Sequence, residues 1–166
     1  MGMDTISRLI AKMVEYETGS PSRVQHFLKV YGFAQAIGRM EGLEERTQAV
    51  LETAAVVHDI GIKPSLEKYG SSAGNYQEQE GPAPAAQMLA GLGLDQAFVD
   101  RVCYLVGHHH TYSNIDGIDY QILVEADFLV NFYEDNLAKD AIDTALQKIF
   151  RTEAGKTLCR LCYIND

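Results

Sequence analysis

Apolar residues recur at helical spacing along nearly the whole chain, and convincing alternating strands are few, which narrows the fold class at once. Ile6, Leu9, Ile10 and Met13 form one stripe and predict a helix over residues 3–16. Ser20-Pro21 reads as a helix start, with serine as cap and proline at the first helical position. Val24, Phe27, Val30, Tyr31, Ala34 and Ile37 carry that second helix to Glu41-Gly42. A third helix is expected over residues 44–60, apolar through Val50, Leu51, Ala54 and Val57, closing at Gly61. Residues 61–76 hold Gly61, Pro64, Gly70, Ser71, Ser72 and Gly74 and predict a long loop. Helix resumes over residues 77–92, irregular at Pro82 and Pro84. Asp95 then caps a helix carrying Val99, Val102 and Val106 into His108-His109-His110. After a turn at residues 114–117, a helix covers 120–133, and one or two more use Ile142, Leu146, Ile149, Phe150, Leu158 and Leu161. The expectation is an all-α fold, one compact helical domain of about seven helices across residues 1–166.

A chain of 166 residues, 46% of them hydrophobic, is large enough to bury a core of its own. The net charge of −9 argues against a nucleic-acid groove, whose affinity comes from clustered Lys and Arg. It is compatible with a small phosphorylated substrate, because a bound divalent cation supplies local positive charge. No apolar run approaches the roughly 20 residues that span a bilayer. The opening Met1-Gly2-Met3-Asp4-Thr5 does not begin like a signal peptide. Cys103, Cys159 and Cys162 suggest no disulfide framework, so a cytoplasmic protein away from membranes is expected, its oligomeric state open. Cys159 and Cys162 have no second Cys or His pair nearby to complete a zinc site, and no glycine-rich phosphate loop is present.

Four polar residues stand out against the apolar background: His26, the adjacent His58 and Asp59, and Asp127. Imidazole with carboxylate suits a divalent transition metal such as Mn, Fe, Co, Ni or Zn. Neighbours on a regular helix point about 100 degrees apart, so His58 and Asp59 can face one ion only where their helix is ending, as Gly61 suggests. His26 and Asp127 must then come from neighbouring helices. Asp127 is crowded by Leu123, Val124, Phe128, Leu129 and Val130, where an unpaired carboxylate would be costly.

The ordered set resembles the HD-domain superfamily of metal-dependent phosphohydrolases. The likeness runs through Arg23-Val24-Gln25-His26, Ala54-Ala55-Val56-Val57-His58-Asp59-Ile60-Gly61 and Glu125-Ala126-Asp127, roughly residues 20–135. It implies a helical HD-type domain in which His26, His58, Asp59 and Asp127 hold one tight ion, with a second ion possible and Asp59 as the bridge. Relatives with two metals typically add histidines between the His-Asp pair and the last Asp. Here His108-His109-His110 occupy the later position, and His108 or His109 is expected to face the site ahead of His110. The earlier position, often a His before a Gly, holds Glu80, which would ligate a metal, orient a water or cap a helix. Arg23, three residues before His26, and Lys63, four after Asp59, are expected to balance phosphate charge. The activity so implied is hydrolysis of a small phosphate ester, foremost a nucleotide, by metal-activated water. The alternative is a catalytically silent metal- and nucleotide-binding sensor domain of the same type.

Overall fold

Three long helices make the frame, and each brings one part of the polar set with it. The computed structural model describes residues 4–165, so the expected helix start at residue 3, like residue 166, lies outside the described residues. Helix α1 (Thr5–Tyr16) is capped by the Asp4 carboxylate, which accepts from the Ser7 backbone N–H at 2.9 Å. Helix α2 (Pro21–Met40) starts at Pro21, as the Ser20-Pro21 pair predicts, and packs between α3 (Glu45–Val57) and α8 (Ile118–Glu134). Every residue of α3 from Val50 to Val57 is buried, and α8 is buried almost all round from Ile122 to Ala126. Such helices belong at the centre of a bundle. Helix α7 (Gln96–Val106) packs on α3 and on α6 (Pro82–Leu89), while α1 covers α3 from outside. Helices α9 (Lys139–Ile149) and α10 (Glu153–Cys159), followed by a π-helical turn at Arg160–Ile164, complete the chain. The fold class is all-α, and no helix among the described residues is long and apolar enough to cross a membrane.

The helices number ten among the described residues rather than about seven, chiefly because residues 61–76 are not a loop. They contain α4 (Ile62–Tyr69) and the start of α5 (Gly74–Glu80). Pro64 sits in the first turn of α4, where its missing N–H is not needed, and Gly70 ends the helix in the left-handed region at φ 64°. The residues that read as breakers therefore open and close a helix. The expected helix over residues 77–92 is divided at Gly81, with Pro82 starting α6. Two glycines permit a close crossing here. A Cβ on Gly61 would stand 2.5 Å from the Gln77 carbonyl oxygen, and one on Gly81 2.8 Å from the same atom. The end of α3 and the end of α5 thus touch backbone to backbone, which brings Gln77 beside the His-Asp pair.

Candidate metal centre

Helix α3 stops at Val57, and the chain tightens through Ile60 N–H to Val57 C=O and Ile62 N–H to Asp59 C=O, both three-residue bonds. That tightening brings His58 and Asp59 onto one side. His58 Nδ1 donates to the Ala55 carbonyl at 2.8 Å, so in the neutral ring Nε2 carries the lone pair. His26, in the first half of α2, holds its Nδ1 against Glu134 Oε1 at 2.8 Å and likewise presents Nε2. Asp127, midway along α8, is oriented by Asn131 Nδ2 at 3.1 Å.

These groups converge. His26 Nε2 lies 3.0 Å from His58 Nε2, 3.0 Å from Asp59 Oδ2 and 3.2 Å from Asp127 Oδ1. His58 Nε2 lies 3.4 Å from Asp59 Oδ2 and 3.5 Å from Asp127 Oδ1. Donors each about 2.1 Å from a shared ion stand about 3.0–3.4 Å apart, so the spacing suits a common cation. The polarity makes the same point, since lone pairs and carboxylate oxygens face one another with no fixed donor between them. All four residues are buried, and a cluster of acceptors so placed needs protons or a cation at its centre.

The proton affinities express that need. Burial opposes charge on His26, but hydrogen bonds to Asp127 and Asp59 outweigh it and raise its pKa to about 11. His58 moves to about 9, because the charge of Asp59 and the bond to Asp127 overcome its burial. Burial pushes the Asp59 and Asp127 carboxyls up, yet the facing imidazoles hold both below the usual carboxylate range.

A second donor group shares Asp59. Helix α7 ends at Val106, and His109 Nδ1 donates to that carbonyl at 2.9 Å, repeating the arrangement of His58. His109 Nε2 then reaches Asp59 Oδ1 at 2.9 Å, and His110 Nε2 lies 3.6 Å from the same oxygen. Glu78 fixes this turn by accepting from His110 N–H at 3.0 Å and Thr111 Oγ1 at 2.9 Å. Burial lowers the pKa of His109 despite Asp59, whereas Asp59 raises that of His110 despite its burial.

Three of the expected site residues lie away from the cluster. His108 does not join the cluster; it stacks on Tyr104 with ring centroids 3.9 Å apart and bonds the Tyr104 carbonyl, and His110 stands by Asp59 in its stead. Glu80 turns outward to Lys68 Nζ and Tyr69 Oη, each at 2.8 Å. On that helix it is Gln77, one turn earlier, whose side chain meets a ring of the second group, its Oε1 lying 3.1 Å from His110 Nε2. Lys63 points away, donating to the Tyr16 carbonyl at 3.0 Å at the end of α1, where the helix dipole favours a cation. Arg23, in contrast, lines a cavity of about 420 Å³ whose wall includes His26, Asp59, Gln77 and His110. Asn131 and Glu134 carry no motif that singles them out, although their spacing of four and seven from Asp127 places them on its helical face. His108→Ala and Glu80→Gln are accordingly expected to leave bound metal unchanged in folded protein, while His109→Ala lowers it. Elemental analysis decides, and metal lost from His108→Ala would return that ring to the centre.

Both groups offer His and Asp donors able to hold divalent metal, and the first, with four donors against three, is the better provided. Comparison with curated proteins and with solved structures gives no match. A family model described as HD domain matches residues 23–152, a span that takes in every donor named above. The chain belongs to the HD-domain family.

Proposed function

We propose that this chain is a metal-dependent phosphohydrolase that acts on a small phosphate ester, with nucleotides the first class to test. The observation that carries the reading is the sharing of Asp59, whose two oxygens face two separate donor groups beside one open cavity. Divalent ions held there would activate a water and draw charge from a phosphoryl oxygen. The chain's own residues do the rest. Glu134 and Asn131 hold His26 and Asp127 in orientation, as supporting partners do around metal ligands. Arg23 presents a guanidinium to an anion in the cavity. Glu134 and Asp135 line the same cavity, and with a net charge of −9 they disfavour a long polyanion.

The test is a screen of nucleoside mono-, di- and triphosphates, dinucleotides and generic phosphate esters with added Mn²⁺ and other divalent metals. Turnover is expected for at least one compact ester and should stop on chelation. Tight nucleotide binding by metal-loaded protein without turnover of any compound would favour the sensor alternative.

A further inference from the structure

The residue before the link between α1 and α2 is a glutamate with no role in the metal centre. Glu17 follows the last turn of α1 and is 1% exposed. A carboxylate is out of place there twice over, because a helix C-terminus repels negative charge and burial strips the group of water. Its Oε2 accepts from Arg23 Nε at 2.6 Å, while Oε1 is buried with no hydrogen-bond partner among the described residues. An exposed glutamate at this point would keep its water and have the dipole repulsion screened, so the fold retains a costly pair.

Arg23 explains what the pair achieves. Its side chain remains 27% exposed and lines the cavity that holds His26, Asp59 and His110. Glu17 is its ion-pair partner among the described residues and engages Nε, the inner edge of the guanidinium. The two terminal nitrogens, which can form the fork that suits phosphate oxygens, are not engaged by Glu17, and the residue that carries them lines the cavity. We infer that Glu17 is a positioning residue, which aims the Arg23 fork at a phosphoryl group lying against the metal centre. The inference rests on the phosphohydrolase reading. It explains why the glutamate is buried rather than solvated: a carboxylate free to move would not fix the direction of the fork.

The experiment measures binding of inorganic phosphate to the Mn²⁺-loaded full chain by calorimetry, with metal content and thermal melting recorded for every variant. Glu17→Asp keeps the charge and the acceptor but withdraws the carboxylate by one carbon. It is expected to weaken phosphate binding about tenfold at unchanged metal content, as a displaced contact does. In an Arg23→Gln background the same change should make no further difference, because the two residues act as one unit. A Glu17→Asp protein that binds phosphate as wild type, or a loss that persists in full without Arg23, overturns the inference. Should Glu17→Asp fail to fold, Arg23→Lys serves, since it keeps the ion pair and removes the fork; wild-type phosphate affinity in that variant overturns it equally. Wild-type protein that holds metal yet binds no phosphate fails at the phosphohydrolase reading itself, and the inference falls with it.

Discussion

Asp59→Asn is expected to empty both donor groups at once. Asp59 Oδ2 lies 3.0 Å from His26 Nε2, and Oδ1 lies 2.9 Å from His109 Nε2, so a single carboxylate closes two sites. Asparagine keeps the shape, loses the charge, and turns an N–H₂ toward one set of ligands. Asp127→Asn or His109→Ala removes one donor from one group only, so either should leave the other group its metal. The activity lost in Asp59→Asn should exceed the roughly 10–100-fold cost of disturbing a residue that merely supports a ligand. Elemental analysis and circular dichroism on the purified variant provide the check. A folded Asp59→Asn protein with wild-type metal content would remove Asp59 from the centre.

Metal affinity should also climb with pH, by at least about tenfold per unit across the neutral range. In the metal-free protein, His26 at about 11 and His58 at about 9 compete for the same two carboxylates, so their cluster holds at least one proton near neutrality. An entering cation must displace it. The stability of the metal-free form runs the other way. Both imidazoles have folded values above their ordinary 6.5, so their contribution is fully present below that value and is lost as pH rises through about 9 to about 11. The metal-loaded form, which carries no such proton, should not weaken over that window. Calorimetry in buffers of different ionisation enthalpy reads the proton release, and thermal melts with and without Mn²⁺ read the stability. Affinity independent of pH, with no proton released, would show that the cluster is not where metal binds.

How much of this was legible in the sequence follows from what each signal depends on. The central helices could be read because apolar residues dominate them: Val50 to Val57 in α3 is broken only by Glu52 and Thr53, and Ile122 to Ala126 in α8 only by Glu125. His26, His58, Asp59 and Asp127 were visible because charge inside such runs is expensive, and the structure brings those four together. Residues 61–76 have the composition of a loop, but Pro64 lies in the first turn of α4 and Gly70 closes it, and position in a helix reverses the meaning of such breakers. The choice among His108, His109 and His110 depended on how α7 ends. A helix continuing through them would turn by about 100 degrees per residue, whereas the turn after Val106 puts His109 and His110 together and sends His108 back to Tyr104. Gln77 was hidden by a contact between backbones, since only the Gly61–Gly81 crossing shows that it, and not Glu80, lies beside the centre. Lys63 could not be placed without knowing that the end of α1 lies within its reach.

His58 and His109 each close a helix by donating to a carbonyl three residues back. The backbone oxygens that a helix end leaves without partners are thereby satisfied by the very rings that face the centre. Two of the rings that face the centre are therefore held by backbone carbonyls, and their rotamer freedom is surrendered when the chain folds. Small zinc modules work in the opposite order, remaining unfolded until metal orders them. In this chain the apolar core of α2, α3 and α8 is built from side chains that are not among the donors, so exchanging one metal for another is expected to leave the scaffold in place. Ion identity would then follow supply and exchange kinetics, and the same polypeptide is expected to take up different divalent metals when loaded with each in turn, which elemental analysis would check.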